Sequence, residues 1–361
     1  MQEGNVSESP KDAALSTPEL CDLIVGFLKQ SKWDLRACAL VSSSFTSAVQ
    51  RYLFADIIFN RGTLEIDDVS FMDRYNEVKV CIRFCEVLKG SPHLLPLIRR
   101  MRVSLESEAL ESLSAFEFPN LRDVVFHRRI AGAASEKTIS FAADIIGSPS
   151  IQRVGLLSTW FEDAEAVARL FAKCPPGLAT LYVPYISLTD NASVSVGKSF
   201  RSPPTDSTPR RVQIKTLRSG GGRDSDTALI LQQPSIPFEF SALEELQCRW
   251  ELSRGLRRIL ETAKRTLSRL DVDAGYAMGA YNRGEPQPHL LARLTALTDL
   301  TLYTSTNALQ DMEVLLSNLP PQNRLRSLRL LFTGQNYGQL GSLVQGYMNR
   351  ARLSWRFDDR Q

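Results

Sequence analysis

The chain has 361 residues, of which 43% are hydrophobic and 23% are charged, and its formal net charge is +3. This ordinary globular composition supplies a large core, and so small a charge argues against a nucleic-acid or membrane surface. There is no apolar run of membrane-spanning length, no secretory signal, and no C-x-x-C motif among six scattered cysteines, so we expect reduced thiols in a cytoplasmic or nuclear protein.

Three short amphipathic helices are predicted over residues 15–54, after a polar stretch at 1–14 that we expect to be disordered. Capping signals precede the first two helices: Ser16 with Glu19, and Ser31 with Asp34. A unit this small buries too little surface to be stable alone. It should therefore pack against the following domain, a partner, or both.

The stretch from Ser16 to Phe54 resembles the F-box, especially the F-box-like modules common in mushroom-forming fungi. The matching residues are Glu19-Leu20, Ile24, Leu28, Asp34-Leu35 and Val41, within a chain that continues through RACALVSSSF (36–45) and RYLF (51–54). The chain departs from the family pattern at Ser16, Thr17, Ser42 and Phe45, which replace Leu, Pro, Cys and Trp.

This resemblance implies that the helices bind a Skp-family adaptor of an SCF-type ubiquitin ligase, and through it a cullin. The residues that would divide between the module's own core and the adaptor interface are Pro18, Leu20, Ile24, Leu28, Leu35, Val41 and Phe45. The sequence does not make that division. The alternative is that the helices form only a structural cap for the domain that follows.

Residues 55–96 are predicted to be a linker made of one strand and one helix, with Gly90 and Pro92 ending the helix. From residue 97 to 361 a pattern of three spaced aliphatic residues recurs about every 23 to 36 residues, near the leucine-rich-repeat period. The copies are Ile98–Met101–Val103, Leu121–Val124–Phe126, Ile151–Val154–Leu156, Leu178–Leu181–Val183, Ile214–Leu217–Ser219, Leu243–Leu246–Cys248, Leu267–Leu270–Val272, Leu297–Leu300–Leu302 and Leu325–Leu328–Leu330.

Alternating strands and helices also fit a doubly wound α/β enzyme, whose strands are buried on both faces. Here polar pairs such as Arg122-Asp123 and Thr298-Asp299 lie inside the strand motif, and burying them unpaired would be costly. One face of the sheet should therefore be wet, as in a solenoid. The predicted fold class is α/β: a small three-helix F-box-like module followed by an irregular leucine-rich-repeat solenoid.

The repeats depart from the family at the position usually filled by Asn or Cys, which here holds Thr159, Ile186, Gly275, Ser305 and Thr333. Without that side-chain ladder we expect irregular coils after the strands. A Ser-, Thr- and Pro-rich stretch at about 188–211 predicts a mobile loop insertion.

No residue set indicates catalysis, a metal site or a cofactor. The three histidines lie far apart in the sequence, and no nucleophile or zinc motif is present. Gly220–Gly222 follows a candidate strand like a phosphate-binding loop, but Asp224 and Asp226 would repel an anion, so a flexible turn is the simpler interpretation.

Strand periodicity predicts which side chains face the wet, concave side of the sheet. They include Asp123, Arg218 and Glu245, and the predicted target-binding residues are Arg100, Arg102, His127, Tyr182, Arg249, Arg269, Asp271, Asp273, Asp299, Tyr303 and Arg329. The early repeats read as basic, and Asp271, Asp273 and Asp299 as an acidic cluster. The predicted function is target recognition for an SCF-type ligase; the alternative is a repeat scaffold with no ligase role.

Overall fold

The computed structural model describes residues 17–59, 71–127, 133–184, 186–189, 211–220, 227–249, 254–273, 291, 293–305 and 324–333. The helices in this part are α1 (Pro18–Leu28), α2 (Lys32–Ala39), α3 (Ser43–Leu53), α4 (Phe71–Gly90), α5 (Ser107–Ser114), α6 (Glu136–Ile146), α7 (Ala164–Phe171), α8 (Thr227–Leu231) and α9 (Arg254–Ala263), with a 3₁₀ helix at Pro92–Leu97. The strands are β1 (Asp56–Ile58), β2 (Arg100–Ser104), β3 (Asp123–His127), β4 (Arg153–Leu157), β5 (Thr159–Phe161), β6 (Thr180–Val183), β7 (Ile186–Leu188), β8 (Val212–Gln213), β9 (Thr216–Ser219), β10 (Phe238–Glu239), β11 (Glu245–Arg249), β12 (Arg269–Asp273), β13 (Asp299–Ser305) and β14 (Ser327–Thr333).

Ten strands form one parallel sheet in the order β1-β2-β3-β4-β6-β9-β11-β12-β13-β14, so neighbours in space follow one another along the chain. The register repeats at the start of each strand, where one carbonyl accepts hydrogen bonds from two N–H groups of the next strand. The carbonyl of Arg122, for example, accepts from Gln152 at 2.8 Å and Arg153 at 2.9 Å. Each repeat therefore contributes one strand at a constant offset, as in a solenoid.

The aliphatic triplets predicted from the sequence line one face of this sheet and are buried there. Leu121, Val124 and Phe126 are each 0% exposed, and the equivalent residues of the other repeats join the same core. Successive helices α4, α5, α6 and α7 pack side by side over the core. The mixed α/β architecture and the parallel sheet are thus confirmed. This architecture is consistent with a leucine-rich-repeat-like fold.

The strand and helix predicted as a linker over residues 55–96 belong to the repeat array. Strand β1 pairs with β2 in the main sheet, with Asp56 opposite Arg100. Helix α4 packs against α5, and the Cys81 thiol lies 3.7 Å from the carbonyl oxygen of Ala109. The array therefore begins near Asp56 rather than at residue 97. The sequence pattern does not mark this first strand, because the strand lacks the full aliphatic triplet of the other repeats.

After two of the strands, a second small sheet replaces the expected irregular coil. Strand β5 pairs in parallel with β7, with Thr159 opposite Ile186. Ser158, immediately before β5, has φ 50° and turns the chain between the two sheets. Backbone pairing here takes the place of the missing side-chain ladder. Of the predicted insertion at 188–211, only Leu188, in β7, Thr189 and Arg211 lie within the described residues.

Helices α1, α2 and α3 form a compact module with a core of its own. Cys21, Val25, Leu35, Phe45, Ala48 and Val49 are buried together, separately from the solenoid core. The Ser31 hydroxyl accepts a hydrogen bond from the Asp34 N–H at 3.3 Å, which confirms the second predicted capping signal. The first one placed the cap at Ser16, but the N-cap of α1 is Thr17; Ser16 and the stretch 1–14 lie outside the described residues.

Candidate functional site

The face of the sheet opposite the core, called the open face below, carries two continuous rows of side chains. The in-register pairs of the main sheet define both. The charged row is Asp56, Arg100, Asp123, Arg153, Thr180, Thr216, Glu245, Arg269, Asp299 and Ser327. The central row, two residues further along each strand, is Ile58, Arg102, Val125, Gly155, Tyr182, Arg218, Gln247, Asp271, Thr301 and Arg329.

The charged row alternates in sign and neutralises itself by ion pairs between neighbouring strands. Arg100 lies 3.3 Å from Asp56, Arg153 lies 3.4 Å from Asp123, and Arg269 lies 2.6 Å from Glu245. Exposed pairs of this kind contribute about 0 to 1 kcal/mol each to stability. Two predicted target-binding residues, Arg100 and Arg269, are therefore partnered within the sheet, and the early repeats are less basic than their sequence indicates.

Arg102 and Arg218, two of the three arginines in the central row, differ from those of the charged row. Arg102 and Arg218 form no ion pair with any residue that the structure describes, and Arg218 is exposed. The Nε atom of Arg102 is buried without a hydrogen-bond acceptor in the described part of the chain. A buried donor left unsatisfied costs about 1–3 kcal/mol. These two side chains thus retain unused hydrogen-bonding capacity.

Between these arginines the central row is apolar, and Gly155 in its middle has no side chain. Val125 is half-buried, Gly155 is buried, and Tyr182 is 37% exposed. A Cβ atom at Gly155 would lie 3.1 and 3.2 Å from the Val125 methyl carbons, so the side chain of Val125 leans over the glycine. The absence of a side chain at Gly155 therefore creates a shallow apolar floor in the middle of the sheet.

The predicted acidic cluster is brought together at the other end of the array. Asp271 and Asp273 share the open face of β12, and Asp299 begins the adjacent strand β13 beside Arg269. One carboxylate oxygen of Asp271 is buried without a hydrogen-bond partner among the described residues. Burial, with a contribution from the Asp271 charge, raises the pKa of the Cys248 thiol to about 12.

The remaining predicted target-binding residues of this end are distributed over neighbouring strands. Tyr303 is half-exposed opposite Asp273, and Arg329 is exposed in β14. The backbone of Arg249 is in register with Asp273.

His127 is not on the open face, contrary to the strand-periodicity prediction. Its Nε2 atom lies 2.9 Å from the Glu77 Oε1 atom, and the two side chains are 7% and 5% exposed. Neither atom has a well-directed hydrogen bond within the described part of the chain. His127 is the last residue of β3, where strand alternation no longer holds the side chain outward. It faces helix α4 and ties that helix to the sheet.

The three-helix module divides the predicted adaptor-binding residues between inside and outside. Leu35 and Phe45 are buried in its core, Ile24 and Leu28 pack against that core, and Leu20 is half-buried. Pro18 and Val41 are exposed. Most of the predicted residues therefore stabilise the fold of the module and do not form its exposed surface.

A set of exposed apolar side chains, called the module surface below, includes only one residue predicted from the sequence, Val41. It comprises Leu23, Phe27, Trp33 and Leu40 together with Val41, with exposed fractions of 60% to 89%. Leu23 and Phe27 are four residues apart on one face of α1, opposite the core residues Cys21 and Val25. Helix α1 carries apolar residues on both faces, which is more than the single apolar stripe by which a helix packs on one core. This excess was the sequence signal for the exposed residues.

Two further classes of site are absent from the described residues. No group of three or more His, Cys, Asp or Glu side chains there could hold a metal ion. No helix there is both long and apolar enough to cross a bilayer.

Gly220, the described part of the predicted glycine-rich turn, allows close backbone contact: a Cβ atom would lie 2.6 Å from the carbonyl oxygen of Pro184.

No protein-family model matches the chain, and no curated protein matches it significantly. Among solved structures, the chain is similar to the leucine-rich repeat-containing protein LegL7 from Legionella pneumophila. The two share 10% sequence identity over 74% of this chain and 93% of that chain, with a TM-score of 0.34.

Proposed function

We propose that this chain is a non-catalytic adaptor that binds one protein through its three-helix module and another through the open face of its repeats. The finer proposal is that the first partner is a Skp-family adaptor of an SCF-type ubiquitin ligase, as the F-box resemblance implies. The second partner would then be the protein that the ligase modifies.

The module surface is the observation that carries this proposal. The exposed fraction is 80% for Phe27, 78% for Trp33 and 89% for Leu40. Exposing such side chains in water is unfavourable, and clustered exposed apolar residues are typical of protein-binding sites. Because the module has its own core, these residues are not needed to hold its helices together.

A second candidate function, the structural cap, is favoured by one set of contacts. Phe54, just after α3, stacks on Phe84 of α4 at a ring-centroid distance of 6.4 Å. Helix α3 also packs against the edge strand β1. Repeat arrays require such a cover at their ends. A cap, however, has no use for large apolar side chains that the array leaves exposed.

Co-expression with a Skp-family adaptor, followed by affinity purification of the complex, tests the proposal. Phe27→Ser and Leu40→Ser should each abolish co-purification, since an interface anchor contributes about 2 kcal/mol or more. Val80→Ser and Val87→Ser are matched controls, because they remove exposed apolar side chains from α4 instead. All four variants should melt like the wild type.

Two outcomes would contradict the proposal. If the wild-type chain retains no adaptor, the cap is the better assignment. If the adaptor is retained equally by all four variants, the module surface is not its binding site. Leu35 is unsuitable for this test, because a change in the module core would remove binding by unfolding the helices.

A further inference from the structure

The described arginines of the open face fall into two groups according to whether the sheet satisfies them. Arg100, Arg153 and Arg269 each have a carboxylate partner on a neighbouring strand. Arg102, Arg218 and Arg329 have none among the described residues, and the buried Nε atom of Arg102 lacks an acceptor. Of these three, Arg102 and Arg218 flank the apolar floor, whereas Arg329 lies in β14 at the far end of the sheet order.

Arg102 and Arg218 lie at opposite ends of the apolar floor formed by Val125, Gly155 and Tyr182. Four strand spacings separate β2 from β9 in the sheet order. At about 4.8 Å per spacing, the two arginines are about 19 Å apart. An extended polypeptide rises about 3.3 Å per residue, so a segment crossing the strands would span that distance with about six residues.

We propose that strands β2 to β9 of the open face bind an acidic segment of a protein target, in which two carboxylate clusters flank an apolar centre. The carboxylates pair with Arg102 and Arg218 by charge-assisted hydrogen bonds, which are the stronger kind. The apolar centre lies on the floor at Gly155, against the exposed ring of Tyr182. Complementary charge at both ends then sets the position of the segment on the sheet.

This inference rests on the part of the proposed function that makes the open face the target-binding surface. It does not depend on the module surface or on the identity of the module's partner. Peptide binding can be measured without any adaptor, and adaptor co-purification can be measured without any peptide. Failure of one assay therefore leaves the other informative.

The test uses the full-length chain and three fluorescein-labelled peptides of about 14 residues, with binding followed by fluorescence anisotropy. The first carries paired glutamates on both sides of a six-residue centre that contains leucine and phenylalanine. The second has lysine in place of every glutamate, and the third has serine in place of the apolar residues. The first should bind about tenfold or more tightly than either of the others.

Variants of the chain then locate the site. Arg102→Glu and Arg218→Glu should each weaken binding of the acidic peptide about tenfold or more, and the double variant should prefer the lysine peptide. Arg102→Met keeps the apolar stem and should also weaken binding, which guards against misfolding of the charge-reversed chain. Arg329→Glu is the matched control, because it changes an exposed arginine of the same row that has no ion pair among the described residues.

Three results would overturn the inference. The first is a wild-type chain that binds none of the peptides, and the second is one that binds all three equally. The third is an Arg329→Glu variant that loses as much affinity as Arg102→Glu and Arg218→Glu. A loss confined to the two arginines that flank the floor supports it.

Discussion

The buried contact between Glu77 and His127 gives the sharpest prediction about stability. We consider three variants: His127→Phe, Glu77→Met and the double variant. Both replacements roughly conserve side-chain volume, and methionine favours the helical backbone at Glu77. The two side chains are 5% and 7% exposed and their polar atoms are 2.9 Å apart, so each is the other's main polar neighbour in the described structure.

The magnitudes follow from what each variant leaves behind. His127→Phe strands a buried carboxylate, which should cost about 3–5 kcal/mol. Glu77→Met strands a buried imidazole, which should cost about 1–3 kcal/mol. The double variant replaces both groups by apolar ones of similar volume and should cost less than about 1.5 kcal/mol. The two single losses then sum to at least about 4 kcal/mol, which exceeds the double loss by about 2.5 kcal/mol or more.

Urea unfolding monitored by circular dichroism measures the free energies of unfolding. Hydrogen exchange adds a local probe, because the Leu105 amide donates to the His127 carbonyl oxygen at 2.7 Å and should exchange faster in the single variants. A double variant whose loss equals the sum of the two single losses would refute the reasoning, since it would show that the two groups do not interact.

Two further predictions address the cores. Leu35→Ala should destabilise the three-helix module by about 2–5 kcal/mol while the solenoid keeps its melting temperature, because the two cores are separate. Limited proteolysis of this variant should cut only the module. Simultaneous loss of the module and the solenoid would contradict this. The raised pKa of the buried Cys248 thiol, about 12 against an ordinary 9.0, means that the folded state holds this proton more tightly than the unfolded state does. Its contribution to stability is complete below about pH 9 and is lost as the pH rises toward about 12. Cys248→Val should therefore flatten the decline in unfolding free energy over that window. If the unfolding free energy of the wild type and of the variant falls with the same slope, burial of the thiol is not the cause.

The repeat architecture could be predicted because it depends on local periodicity. The spacing of Leu121, Val124 and Phe126 places all three on one face of a strand, and polar residues between them require water on the other face. The same rule assigned the open-face residues of β12 and β13 correctly. It failed at His127, at the end of its strand, where periodicity gives way to long-range contact.

The partners of the site residues could not be predicted, because they come from distant parts of the chain. Arg153 meets a carboxylate thirty residues earlier, and Arg269 meets one twenty-four residues earlier. A strand pattern says which face a charge lies on, but the register between repeats decides which charges meet. The same limit explains why paired and unpaired arginines were indistinguishable in the sequence.

The sequence by itself determined the repeat, its strands and their buried face, since hydrophobic periodicity is a property of a few consecutive residues. Only the tertiary structure decided which polar groups are satisfied. It also decided which apolar residues of the module, such as Leu35 and Phe27, lie inside or outside. The physical reason is that burial and pairing depend on helices and strands packing against one another, and a local pattern contains no information about its neighbour.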